Sequence, residues 1–190
     1  MIVVSFFDID DLGVLPEARI QTGVETPIRA NYRLVPVSVR NIPRWRRKSA
    51  IKAYIDEADL IVMGTGTYTF MRSWAHFAMV YGFTKNRPMM AISDANMNSG
   101  WSREITGGPN PFTRIRWNID KGEIRLYALD AVFEVVWRFK TAVPKQSVHY
   151  RLKGTEGTLE QIAPMYDYVL DDASANFPAW MKRAIWLAGL

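Results

Sequence analysis

Short apolar runs, each closed by glycine or a polar cluster, alternate along this chain with stretches whose apolar positions fall three and four residues apart. The first run, Ile2-Val3-Val4-Ser5-Phe6-Phe7, is rich in β-branched and aromatic residues and predicts a buried strand that ends at Asp8-Ile9-Asp10-Asp11. Leu34-Val35-Pro36-Val37-Ser38-Val39 predicts a shorter strand, and its proline suits a sheet edge. Ser49 is placed to cap a helix over residues 50–58, whose Ile51, Tyr54 and Ile55 share one face. That helix leads into Leu60-Ile61-Val62-Met63, a run stopped by Gly64. Trp74, Phe77, Ala78 and Tyr81 then recur at helical spacing, and Pro88-Met89-Met90-Ala91-Ile92 is the next apolar run. The sequence of elements is strand, loop, helix, strand. In open α/β sheets ligands sit beyond the carboxyl ends of strands, so any chemistry is expected between Thr65 and Ala78.

Beyond this unit, residues 93–113 form a long polar stretch with Asn96, Asn98, Gly100, Gly107, Gly108, Pro109 and Pro111, a length usually functional or mobile in a compact domain. Gly122 precedes an alternating strand over residues 123–127, while periodicity leaves residues 132–139 open between strand and helix. A closing helix is expected over the last part of the chain, with Pro178 near its start and Gly189 just past its end. There is no internal repeat, and 190 residues are the size of one domain.

Composition removes several classes of function. The chain has no cysteine, so thiol catalysis and disulfides are excluded. Its apolar runs are far shorter than the roughly twenty residues that span a bilayer, so no membrane span is expected. The start lacks a basic leader and meets Asp8 at once, unlike a secretory signal, and a cytoplasmic location is expected. Two histidines, His76 and His149, are too few for a histidine-rich metal site, and each reads better as structural. Gly64-Thr65-Gly66-Thr67-Tyr68-Thr69 has two of the three glycines of a dinucleotide fingerprint; neither a P-loop nor a Gly-x-Ser-x-Gly elbow occurs. The net charge of +5 favours anionic ligands. Arg40, Arg44, Arg46, Arg47 and Lys48 surround Trp45, a mixture that suits nucleic acid but is more often a solvated rim. Basic residues ahead of a helix start oppose its dipole unless an anion lies between them, which hints at phosphate.

The order of these features resembles the TIR-like (Toll/interleukin-1 receptor-like) proteins of bacteria, most closely the TIR-like subunit of Thoeris antiphage defence systems. The resemblance rests on Ser5-Phe6-Phe7-Asp8, on residues 50–57 ending in Ile-Asp-Glu, on Gly64-Thr65-Gly66-Thr67 followed by Trp74, on Asn110-Pro111-Phe112, and on Tyr166-Asp167-Tyr168 through to Trp180. It implies an α/β, flavodoxin-like open parallel sheet with helices on both faces. It also implies NAD+ as substrate without a metal: nicotinamide leaves, and the ADP-ribosyl fragment is cyclised, transferred or hydrolysed into a signal for a downstream effector. A phage-derived trigger and a homo-oligomer fit the same picture, and nucleic acid is set aside. By position in the family pattern, the nucleotide pocket falls to Phe6, Phe7, Asp8, Arg40, Asn41, Thr65, Thr67 and Trp74. Phe7 would stack on a ring and the threonine hydroxyls would meet ribose or phosphate; for Phe6 and Trp74, core packing competes with a binding role. The family's catalytic glutamate falls at Ala78. Either a glutamate has been replaced there, leaving a protein that traps nucleotide, or this is a natural, catalytically silent relative that binds nucleotide or a partner.

Overall fold

Strands β1 (Ile2–Phe7), β3 (Leu60–Thr65) and β4 (Met89–Ser93) are buried on both faces, which is why they read as unbroken apolar runs rather than alternating ones. The structure is a computed structural model that describes residues 1–7, 32–66, 68–93, 108–130, 132–139, 142–148, 151–168 and 170–190. β1, β3 and β4 lie inside a parallel sheet of order β10-β4-β3-β1-β2, with β2 (Arg33–Ser38) and β10 (Met165–Asp167) outermost. Pro36 therefore sits on an outer strand, as its missing N–H requires. Taken in chain order, the five strands are arranged 2-1-3-4-5, the flavodoxin-like doubly wound order, with its switch point between β1 and β3.

Alternate side chains of the central strands feed opposite faces. Val4, Phe6, Ile61, Met63, Met89 and Ala91 pack with helices α1 (Arg47–Glu57) and α2 (Ser73–Thr84), through residues such as Ile51, Ile55, Ala75, Met79 and Phe83. Val3, Leu60, Val62, Met90 and Ile92 pack instead with Phe177, Trp180, Met181 and Ala184 of α3 (Ala173–Ala188). Helix α2 lies so close to the sheet that a Cβ on Gly82 would stand 2.6 Å from Ile61 Cδ1.

An antiparallel sheet, ordered β7-β6-β5-β9, covers the other side of α2. Its hairpin joins β5 (Ile115–Asp120) to β6 (Glu123–Leu129) through Lys121 and Gly122, at φ 50° and 81°, the left-handed pair that a two-residue turn between twisted strands demands. β7 (Val135–Arg138) and β9 (Glu156–Thr158) flank the hairpin, and the short β8 (Val143–Pro144) also pairs with β6. Phe112, Ile115, Trp117, Ile124 and Leu126 join the same buried cluster as α2. This explains why α2 is apolar nearly all round, burying Ala75, His76, Met79 and Val80 besides Trp74 and Ala78.

Two sequence expectations are corrected, and one left open between strand and helix is settled. Ser49 is not a cap: α1 begins at Arg47, and the Ser49 hydroxyl donates to the Arg46 carbonyl at 2.9 Å from within the first turn. Pro178 lies inside α3, which starts earlier because the Asp172 carboxylate accepts from the Ala175 N–H; Gly189 closes the helix at φ 80°, as expected. Residues 132–139 supply a strand, β7.

Candidate functional site

The carboxyl ends of β1 and β3 define the switch point, and the last residues of both strands are buried. Phe6 and Phe7 have no exposed surface; Phe6 meets Tyr54 of α1 edge-on, with ring centroids 6.4 Å apart. Phe7 consequently offers no open face for stacking. Thr65 is buried, and its hydroxyl donates to the Ile92 carbonyl at 3.2 Å, so it serves the neighbouring strand. Ala78 is wholly enclosed in the core between the two sheets. Arg40 and Asn41 are exposed on a 3-10 turn after β2. Asp8, Thr67, His149 and most of the 93–113 stretch lie outside the described residues.

Trp74 is different. It is 6% exposed, its indole N–H has no hydrogen-bond partner among the described residues, and it borders a groove of about 450 Å³ between the starts of α1 and α2. Four cationic side chains line this groove: Arg44, Arg47 and Lys48 from the approach to α1, and Arg72 from the approach to α2. Ser73, Ile51, Phe77 and Trp137 complete the walls, and among the described residues no carboxylate lines the groove. The Lys48 ammonium stands between two aromatic faces, 5.7 Å from the Phe77 ring centroid and 5.4 Å from that of Trp137.

Backbone polarity has the same sign. Neither helix start carries a side-chain cap, but at α1 the Arg46 and Arg47 N–H groups already donate to the Pro43 and Arg44 carbonyls of the preceding 3-10 turn, so it is the start of α2 that leaves its first N–H groups to water or to a ligand. Arg47 and Lys48 occupy the first turn of α1, where positive charge opposes the dipole. An anion in the groove relieves that repulsion and supplies acceptors to the start of α2. The arrangement suits a ligand with a phosphate and a flat ring.

His76 takes a structural place. Its Nε2–H donates to the Phe70 carbonyl at 2.7 Å, tying the 3-10 turn Thr69–Met71 to α2, and burial pushes its pKa below the usual 6.5, partly countered by that hydrogen bond. The turn is closed on its other side by the Gly66 N–H donating to Thr69 Oγ1 at 2.9 Å. Among the described residues no group of three or more His, Cys, Asp or Glu side chains could hold a metal, and no helix is long and apolar enough to cross a membrane.

Of the expected site residues that are described, Trp74 alone lines the groove, where it meets Arg44, Arg47 and Lys48 of the basic run. Trp137 gave no local sign of a site role, because β7 reaches the groove only through the pairing of the second sheet.

Strand order and groove together define a flavodoxin-like α/β protein with a cationic, aromatic-walled cleft at the carboxyl side of its parallel sheet. No protein-family model matches the chain. Over 138 residues, 71% of this chain and 72% of the other, it is 20% identical to a Bacillus cereus (strain MSX-D12) protein named "Putative cyclic ADP-D-ribose synthase ThsB1".

Proposed function

We propose that this protein is a TIR-like, Thoeris-type NAD-processing protein that binds NAD+ or an ADP-ribose-derived nucleotide in the groove beside Trp74 and, as it stands, holds the nucleotide without cleaving it. The observation that carries the binding half is the groove, in which four cations and the uncapped start of α2 line the space a pyrophosphate would take while Trp74, Phe77 and Trp137 offer ring surfaces. Its volume lies within the range usual for small-ligand sites. The ligand class follows from the likeness to ThsB1.

Silence follows from charge. As nicotinamide leaves, positive charge develops on the ribose, and a carboxylate fixed nearby is the side chain that stabilises it. Among the described residues the groove lining holds none, and by the family resemblance the glutamate position falls at Ala78. The enclosure of Ala78 in the core favours one of the two explanations for that alanine: a natural relative whose role is binding or assembly.

Titration calorimetry with NAD+ and with ADP-ribose, alongside chromatography for free nicotinamide, tests both halves. Binding without nicotinamide release is expected, and Arg47→Gln or Arg72→Gln should weaken it about tenfold or more, the scale of one hydrogen bond to a charged group. No heat at millimolar nucleotide rejects the groove. Sustained nicotinamide release rejects the silence and leaves the groove standing.

A further inference from the structure

Among the described residues strand β7 is an outer edge, and its side chains are exposed. Val132, Phe133, Val135, Val136 and Trp137 are 72, 58, 42, 60 and 39% exposed, so five large apolar residues within six positions lie open. The ladder to β6 shifts register between Ala128 and Leu129 and leaves Val136 without a partner residue. This exposure is held in place rather than slack. Phe133 stands at φ 66°, a costly conformation for a bulky side chain, and the Asp130 carboxylate fixes it by accepting from the Val132 and Glu134 N–H groups, each at 2.9 Å. The Arg114 guanidinium, 3.9 Å from the Phe133 ring centroid, donates through Nη1 to the Asp130 carbonyl at 2.9 Å and supports the ring from within.

The sequence of the strand selects its partner. Glu134-Val135-Val136-Trp137-Arg138 is complementary to itself when laid antiparallel about Val136: Glu134 falls opposite Arg138, Val135 opposite Trp137, and Val136 opposite its own copy. Glu134 and Arg138 are both exposed, and neither makes an ion pair among the described residues. A two-fold contact uses every position twice, and only a self-complementary strip satisfies it.

We propose that β7 is the surface through which two copies of this chain associate, antiparallel about a two-fold axis at Val136. The outer edge of β7 supplies the backbone groups for the added pairing, the apolar residues beside Val136 cover one another, and an ion pair closes each end. A strip this short is smaller than the roughly 800 Å² per partner of a stable interface, so the association is weak and concentration-dependent. It adjoins the nucleotide groove through Trp137 but does not depend on the ligand assigned there.

Sedimentation equilibrium from about 10 µM to about 1 mM protein reads it directly. Reversible dimers are expected for the unaltered chain, and monomers for Glu134→Arg alone, Arg138→Glu alone and Val136→Asp, all at exposed positions and all with unchanged melting. An equimolar mixture of the Glu134→Arg and Arg138→Glu chains should dimerise again, because every facing pair is then opposite in charge. A chain that stays monomeric at 1 mM overturns the proposal. Dimers that survive the single charge changes, or a mixture that does not restore them, overturn it equally.

Discussion

The two sheets press on opposite sides of α2, but the central strands of the first bury their apolar residues while the outer strand β7 of the second holds its own in water. In the parallel sheet β1, β3 and β4 are buried on both faces, and the positions that the family pattern assigns to a pocket, Phe6, Phe7 and Thr65, are spent on packing. In the antiparallel sheet β6 alternates buried and open residues, and β7 buries nothing. Apolar area kept out of water stabilises the fold; apolar area held in water is a surface waiting for something. The comparison separates strands that bury their apolar residues from an edge that leaves them open, with Trp74 and Trp137 lining the groove.

Ala78→Glu is the severest way to break that division. The new side chain must overfill a packed site, typically about 1 to 3 kcal/mol, and it buries a carboxylate with no partner, about 3 to 5 kcal/mol more. A loss of about 5 kcal/mol is expected in urea denaturation, enough to unfold many domains of this size. Burial would raise the folded-state pKa of such a glutamate above its unfolded value, so the deficit should shrink as pH falls toward 4 and deepen as pH rises. A variant that keeps its stability and releases nicotinamide from NAD+ would move this face of α2 from the core to the site.

A matched pair of truncations sharpens the comparison. Phe6→Ala removes a wholly buried ring from the face shared with α1 and α2 and should cost about 3 to 5 kcal/mol, with any loss of nucleotide binding following from unfolding. Trp137→Ala, at an exposed edge position, should cost less than about 1 kcal/mol while weakening both nucleotide binding and self-association. Denaturation curves with calorimetry on the same samples read both quantities. Equal stability losses would erase the distinction between the sheets.

The parallel half was legible in the sequence for the same reason that it is stable. Strands buried on both faces leave apolar runs, Pro36 marks an outer strand, and Gly189 marks a helix end. Where neighbouring structure overrides a local signal, the reading fails. Ser49 has the chemistry of a cap, yet the 3-10 turn Arg44–Arg46 already has near-helical backbone at Arg46 and runs straight into α1. Pro178 suits a helix start, but the stripe Ala173, Phe177, Trp180, Met181 and Ala184 packs on the sheet as a unit and outweighs the hydrogen bond that proline forfeits. β5 follows a polar stretch and exposes Arg116, so little but its pairing identifies it. At the site, Trp74 and the cations from Arg44 to Lys48 stood out by residue type and spacing. Trp137 joins them only in three dimensions, and the burial of Phe7 and Ala78 is a property of packing that no motif carries.

The smallest effect belongs to the residue linking the switch-point turn to α2. His76 is buried, donates through Nε2–H to the Phe70 carbonyl, and has its pKa lowered chiefly by burial. Because the folded protein holds the neutral ring more tightly than the unfolded chain does, the stabilisation is complete above the ordinary value of 6.5 and is lost as pH falls from there through the folded-state value. The urea midpoint should therefore decline as pH is lowered below 6.5. His76→Gln, whose amide can still donate to Phe70 but does not titrate, should start from a slightly lower midpoint at pH 8 and show a flatter decline. Subtracting the two profiles also removes the contribution of His149, the other histidine, which both chains share. Parallel profiles for the two proteins would mean that His76 takes up its proton without disturbing the turn, and that the groove edge beside Trp74 is held by something other than this hydrogen bond.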